Sequence, residues 1–127
     1  MLNNIVLIGR LVTTPALKTY DDGIKVSDIT LAVTRPFKNS AGEFETDFIP
    51  ISLWYGTAQN ACQYTKKGDL VCIKGRLSQK VQEINGVNYH SVDVIGERII
   101  FLSRSSKNEN IALEIKNYQM DQTTNQT

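Results

Sequence analysis

The sequence predicts an all-β domain, a five-stranded Greek-key barrel with one short helix between its third and fourth strands. Three observations carry this prediction. Short runs of alternating apolar residues are separated by turn residues, a short helical stretch follows the third run, and the hairpin sequence Asn85-Gly86 joins the last two long runs. At 127 residues, the chain has the length of one domain with one core.

The first two predicted strands span residues 4–12 and 26–34. In the first, the four apolar residues Ile5–Ile8 indicate that both faces of the strand are covered over part of its length. The second places apolar side chains at every other position, which is the pattern of a half-buried strand. Asp21-Asp22-Gly23 between them has the composition of a tight turn.

Residues 35–45 contain proline, asparagine and glycine, and we predict an exposed loop there. Residues 46–55 return to strand alternation, in which Pro50 indicates an edge position or a bulge because proline cannot donate to a ladder. The helix is predicted over residues 57–64, with Thr57 as its N-cap.

The fourth strand is predicted at residues 70–77 and continues into a polar arm. After the Asn85-Gly86 turn, residues 87–95 return as the fifth strand, Gly96 interrupts it, and residues 99–102 form a last extended piece. Periodicity alone also permits a small β-sandwich. The position of the helix favours the barrel, which is the OB-fold arrangement.

Composition excludes several classes of protein. Hydrophobic residues make up 41% and charged residues 21%, and 14 cationic residues stand against 13 acidic ones, so the chain is not a bulk polycation. The sequence contains no apolar run of about 18 residues and its start lacks a secretory signal, so we expect a cytoplasmic protein with no membrane contact. We predict the barrel domain at residues 1–104 and a polar tail with a possible short helix at 105–127.

The candidate metal ligands are few. Cys62 and Cys72 are ten residues apart, and His90 is the single histidine, which is not zinc-site spacing. The two cysteines are expected to be small buried residues. The acidic residues form no cluster with the spacing of a metal centre. We therefore expect no metal, no cofactor and no enzymatic activity.

Aromatic residues give the first functional signal. Phe48 and Trp54 share one parity of the third strand, opposite the aliphatic set that includes Ile51. If the aliphatic set fills the barrel, both rings point outward, where they are available to stack on a ligand. The alternative is that both rings are buried under the helix or in a subunit interface.

A second signal combines a ring with cations. Phe37 lies between Arg35 and Lys38 in the predicted loop, and such a combination suits single-stranded nucleic acid, whose bases stack and whose phosphates are anionic. Lys74 and Arg76 share one face of the fourth strand. The other candidate phosphate-binding residues are Arg10, Lys67 and Lys80.

An ordered series of motifs over residues 1–102 resembles bacterial single-stranded-DNA-binding proteins, in particular their Gram-positive branch with its plasmid and phage versions. The series consists of Met1–Leu11, Ile29–Val33, Asp47–Ile49, Leu53-Trp54, Lys66–Gly68 and Ile73–Leu77. The resemblance implies an OB-fold that assembles as a homotetramer, with a dimer as the alternative, and that binds single-stranded DNA without sequence specificity during replication, recombination or repair. It also assigns base stacking to Phe37, Phe48 and Trp54, and phosphate contacts to Arg10, Arg35, Lys67, Lys74 and Arg76.

Two features depart from the family pattern. In the long hairpin the family usually has a basic run ending in a stacking aromatic, whereas this chain has Gln82, and Tyr89 across the turn is the candidate substitute. We therefore expect weaker binding per subunit than in a housekeeping member. The family's acidic tip, which recruits replication and repair proteins, has no counterpart in residues 105–127, so the chain resembles a short paralogue or a mobile-element version.

Two alternatives stay open from the sequence. The chain could be a primosome-type or RNA-binding OB module, or a β-barrel scaffold that binds no nucleic acid.

Overall fold

Residues 1–104 are described by the computed structural model, and this part of the chain forms six strands and one helix. The tail predicted at 105–127, with its short helix, lies outside the described residues. The elements in chain order are β1 (Ile5–Leu11), β2 (Lys18–Thr19), β3 (Lys25–Lys38), β4 (Phe44–Trp54), α1 (Tyr55–Tyr64), β5 (Leu70–Ile84) and β6 (Val87–Ser103).

Five of these strands close into a barrel. The strand order is β1-β5-β6-β4-β3, and β1 also pairs with β3, which joins the two ends of the sheet. The β4–β6 pairing is parallel and the other pairings are antiparallel. The two-residue strand β2 adds only to the edge of β3. The helix therefore lies between the third and fourth barrel strands, which confirms the predicted OB-fold.

The barrel core is formed by alternate residues of the strands. Ile29 and Leu31 of β3 lie beside Ile51 and Leu53 of β4, and all four are almost fully buried. Side chains of a strand alternate between its faces, so the odd-numbered positions of both strands face inward. The complete buried cluster is Leu11, Ile29, Leu31, Ile51, Leu53, Ala58, Ala61, Val71 and Ile73.

The loop predicted at residues 35–45 is wrong in its extent, because β3 continues to Lys38 and β4 begins at Phe44. The pairing register shifts between Thr34 and Lys38, and a proline is tolerated at such an irregularity. The remaining turn is stabilised by Asn39, whose side-chain oxygen accepts hydrogen bonds from the backbone nitrogens of Ala41 (2.9 Å) and Glu43 (3.0 Å).

Pro50 lies where one edge of β4 is open. It pairs with Thr30 of β3, whereas the parallel pairing with β6 begins only at Ile51. The structure therefore agrees with the predicted edge position.

The predicted cap of the helix is also wrong. Helix α1 begins at Tyr55, and Trp54 occupies the cap position without a side-chain hydrogen bond. The hydroxyl of Thr57 instead donates to the backbone oxygen of Glu97 at 3.1 Å and so ties the first turn of the helix to β6. The helix itself is confirmed, and it buries Ala58 and Ala61 against the barrel.

The long hairpin is confirmed and is more regular than predicted. Asn85 and Gly86 have φ values of +53° and +79°, as the two central residues of a type I′ turn require. The strands that they join pair continuously through the polar arm. Gly96 does not interrupt the fifth barrel strand: β6 passes through it with a one-residue register shift, and a Cβ there would overlap the side chain of Leu53.

We predict that Gly75→Ala destabilises the barrel, because a Cβ at this position would overlap the backbone oxygen of Ile95. The expected loss is about 1–3 kcal/mol or more of unfolding free energy, measured by urea denaturation. The matched control is Gly56→Ala, since a Cβ at Gly56 meets no atom within 4 Å. Equal stabilities of the two variants would contradict the described packing.

Candidate nucleic-acid interface

Phe48 and Trp54 lie on the face of β4 that points away from the barrel core. Phe48 is opposite Ala32 and Trp54 is opposite Val26, and both small partners are buried. Phe48 is half-buried, and Trp54 retains 41% of its accessible surface. Six residues of strand separate the two rings, or about 20 Å. The outer face of β3 and β4 thus carries two outward-facing aromatic side chains.

Arg10 belongs to the same row of side chains as Phe48. Arg10 pairs with Ala32, which in turn pairs with Phe48, so the three residues share the outer face across three strands. A guanidinium nitrogen of Arg10 donates to the backbone oxygen of Gly68 at 3.1 Å. That contact brings the turn containing Lys67 against the end of β1, so two of the predicted phosphate-binding residues lie on one side of the barrel.

Phe37 and Lys38 lie at the end of β3, in a strand rather than in the predicted loop. Phe37 is 62% exposed, so its ring is available to a ligand. Lys38 pairs with Phe44 of β4, and its ammonium lies 5.7 Å from the centroid of the Phe44 ring. This is a cation–π contact on the surface of the hairpin.

Arg35 is held by two carboxylates. Its Nε and Nη2 donate to the two oxygens of Asp47 at 3.0 and 2.8 Å, and its Nη1 donates to Glu45. The hydrogen bonds from Arg35, aided by its charge, lower the pKa of Asp47 against the opposing effect of burial. The same carboxylates raise the pKa of Arg35. Arg35 therefore attracts phosphate less than its charge alone indicates.

The long hairpin carries three predicted cations on one face. Lys74, Arg76 and Lys80 are all exposed and share one parity of β5, with Ser78 between Arg76 and Lys80. Gln82 continues this face and pairs directly with Tyr89 of β6. The tyrosine is 53% exposed, so the aromatic ring that Gln82 lacks is present on the adjacent strand.

Two features of this surface were missed from the sequence. Phe44 shares the parity of Phe48 and would have been found if the strand had been extended to residue 44. For Asn3, no pattern in the sequence indicates its contact. Its side-chain amide donates to the backbone oxygen of Leu77 at 2.7 Å and accepts from the nitrogen of Leu77 at 2.9 Å, which extends the β1–β5 pairing.

The candidate metal ligands serve other contacts. Cys72 is buried, and Cys62 is half-buried with its thiol 3.6 Å from the hydroxyl oxygen of Ser27. His90 shares a 3.0 Å hydrogen bond with Gln79. Within residues 1–104, no three His, Cys, Asp or Glu side chains are placed to hold a metal ion, and no helix is long and apolar enough to cross a membrane.

An exposed aromatic face on the second and third barrel strands defines a class of protein, the OB-fold barrels that bind oligonucleotides or oligosaccharides there. Comparison with known proteins makes the assignment specific. Residues 2–102 match the model of the single-strand binding protein family. The chain belongs to this family.

Several relatives come from Gram-positive bacteria, as the sequence motifs indicate. Single-stranded DNA-binding protein B of Bacillus subtilis is 39% identical over 103 residues, which cover 80% of this chain and 91% of the relative. Single-stranded DNA-binding protein 1 of Clostridium acetobutylicum is 40% identical over 103 residues, 80% of this chain and 94% of the relative. Single-stranded DNA-binding protein 1 of Staphylococcus aureus is 36% identical over 128 residues, 100% of this chain and 81% of the relative.

We predict that Arg35→Gln returns the pKa of Asp47 toward the ordinary aspartate value, because the charge and two hydrogen bonds that lower it are removed. The pKa is measured by NMR titration of the Asp47 side-chain carbon. In the parent protein the ion pair contributes to the free energy of unfolding at pH values above the ordinary aspartate pKa. This contribution is lost as the pH falls through the lowered pKa of Asp47. Arg76→Gln is the control variant, because Arg76 lies on β5 and does not contribute to the lowered Asp47 pKa. An unchanged Asp47 pKa in Arg35→Gln would show that the pair does not form.

Proposed function

We propose that this protein binds single-stranded DNA without sequence preference and covers it during replication, recombination or repair. The observation that carries the proposal is the position of Phe48 and Trp54, on the outer face of the two barrel strands that OB-folds use for oligonucleotides. The names of the relatives and the family match support the same conclusion.

Base stacking supplies the attraction to the bases in this proposal. We assign it to four aromatic residues, none of which belongs to the buried core cluster: Phe37, Phe48, Trp54 and Tyr89. Every nucleobase has a π-face, so stacking is tolerant of sequence and contributes about 1–3 kcal/mol per base.

Phosphate contacts supply the second part of the affinity. Six of the proposed residues lie on the outer surface of the barrel, its turns or its hairpins: Arg10, Lys38, Lys67, Lys74, Arg76 and Lys80. The seventh, Arg35, lies on the face of the β3–β4 hairpin end that is opposite Phe48. Each phosphate that is neutralised releases counterions, so affinity falls as salt is added. Arg35 contributes least to the phosphate-binding free energy because two carboxylates already balance its charge.

Self-association completes the proposal. The first five residues of β1 have no pairing with β3 among the described residues, which leaves a sheet edge open. Val6 and Ile8 are about half exposed on the outer face of this strand, and an apolar side at a sheet edge favours contact with another copy of the chain. We propose a homotetramer, or a dimer, that acts in the bacterial cytoplasm on the nucleoid. We assign it no enzymatic activity.

We predict that Phe48→Ala and Trp54→Ala each weaken binding to oligo-dT by about 5- to 150-fold, which corresponds to one lost stacking contact. The measurement is fluorescence anisotropy of labelled oligo-dT, with a matching RNA oligomer in parallel. Tyr64→Ala is the control, because Tyr64 is an exposed aromatic residue on α1. Equal losses in all three variants would contradict the proposed face, and tighter binding of RNA would favour an RNA-binding module.

We predict that Gln82→Trp tightens binding, because it places a second ring opposite Tyr89 on the face of the hairpin that carries Lys80. A single new stacking contact corresponds to a gain of about fivefold or more in the same anisotropy assay. Gln79→Trp is the matched control, since Gln79 lies on the other face of β5. If Gln82→Trp gave no gain, the hairpin would have no stacking role and Tyr89 would lose its assignment.

We predict that Ile8→Asp shifts the protein to a lower oligomeric state, because a charge replaces an exposed apolar side chain at the open edge of β1. Sedimentation equilibrium measures the mass of the assembly. Leu17→Asp, an exposed apolar position outside this strand, serves as the control. An unchanged mass for Ile8→Asp would place the self-association surface elsewhere.

A further inference from the structure

The start of β4 separates charge from aromatic surface. Glu45 and Asp47 share one parity of the strand, and Phe44 and Phe48 share the other, with Thr46 between them. The two carboxylates bind Arg35 on their own face. The opposite face of the strand therefore presents Phe44 and Phe48 without a carboxylate from residues 45 and 47. Phe44 lies four residues before Phe48 and extends this aromatic face by about 13 Å.

This hairpin end has a defined shape. Arg35 joins the two strands by donating to both Glu45 and Asp47, and the side-chain nitrogen of Asn39 donates to the other oxygen of Glu45 at 3.3 Å. The backbone nitrogen of Asn39 also donates to the oxygen of Glu43 at 2.7 Å. A site that is held by such contacts loses little conformational entropy when a ligand binds.

Phe44 is exposed and lies next to a cation. It retains 49% of its accessible surface and does not belong to the core cluster. The ammonium of Lys38 lies 5.7 Å from the centroid of its ring, and Lys38 makes no ion pair with any residue in the described part of the chain. An aromatic ring beside an unpaired ammonium is the pair of groups that one nucleotide requires, a stacking surface and a phosphate partner.

We propose that Phe44 and Lys38 form a further binding site for one nucleotide of single-stranded DNA, with the base on the ring face opposite the ammonium and the phosphate on the ammonium. The inference rests on the proposed function and extends the interface from Phe48 to the end of the β3–β4 hairpin. Continuity with the outer face of β4 favours DNA as the occupant over a second copy of the chain.

The first test reports directly on position 44. Trp54→Phe removes the natural tryptophan, and Phe44→Trp is added so that the new indole is the single reporter. The matched control adds Phe101→Trp to the same background. Phe101 is 40% exposed and has the Arg104 guanidinium 5.7 Å from its ring, so its environment matches that of Phe44 at another place in the fold. Oligo-dT is expected to quench the indole at 44 and to leave that at 101 unchanged.

The second test measures affinity. Phe44→Ala is expected to weaken oligo-dT binding by about fivefold or more, and Phe101→Ala by less than about twofold. Lys38→Gln is expected to reduce the slope of log affinity against log salt by about 0.7, as the loss of one phosphate contact requires. Phe44→Leu keeps an apolar side chain without a π-face, so it should show the same loss as Phe44→Ala while retaining the fold.

The outcomes separate this inference from the proposed function. If the parent protein binds oligo-dT but position 44 is not quenched and Phe44→Leu binds as tightly as the parent, the Phe44–Lys38 site is wrong and the rest of the interface stands. An indole at 44 that is blue-shifted without DNA and does not respond to it would assign the ring to contact with a second copy. If the parent binds no oligo-dT, both proposals fail.

Discussion

The pairing of β3 with β4 is the constraint on which the rest of the structure depends. Ile29, Leu31, Ile51 and Leu53 occupy alternate positions and fill the barrel together. Each contributes about 1.5–3 kcal/mol when it is fully buried, so a slip of one residue would cost the fold several such contributions. The buried set therefore fixes which side chains point out. Because Trp54 has the opposite parity, the same packing that closes the core exposes the aromatic surface.

The side chains of β3 and β4 continue to alternate between the two faces beyond the end of the barrel, but the apolar core does not extend there. At the end of the β3–β4 hairpin the inward face has no apolar cluster to join, and Arg35 instead joins the strands through Glu45 and Asp47. The ion pairs therefore do the positioning that apolar contacts do deeper in the fold. Strand parity places Glu45 and Asp47 on the face opposite Phe48, and Arg35 balances their charge there. One carboxylate remains on the outer face: Asp28 pairs with Ser52 between the levels of Phe48 and Trp54 and accepts a 3.1 Å hydrogen bond from the Ser52 hydroxyl. The nearly balanced charge of the chain is therefore only partly segregated from the proposed interface.

The local sequence pattern was sufficient to predict the barrel and the outward position of Phe48 and Trp54. It was insufficient where tertiary contacts override local propensity. Alternation in residues 46–55 located Trp54 on the outer face, and Asn85-Gly86 located the hairpin, since only backbone parity and turn chemistry were needed. The extent of β3 was missed because Pro36 and the following turn residues indicate a loop, whereas the turn held by Asn39 lets the strands pair to Lys38. The pairing of Arg35 with two carboxylates on the facing strand depends on register, which residue types do not reveal.

The central claim is that the outer face of β4 meets nucleobases, and Trp54, the sole tryptophan of the chain, reports on it directly. The measurement is titration of the parent protein with oligo-dT, followed by intrinsic fluorescence at low and at moderate salt. Our account predicts strong, saturable quenching whose apparent affinity falls as salt increases. An emission maximum that is already blue-shifted in the free protein, unchanged by oligo-dT and accompanied by no binding in anisotropy, would contradict it. That result would place Trp54 in a protein interface and make the barrel a scaffold.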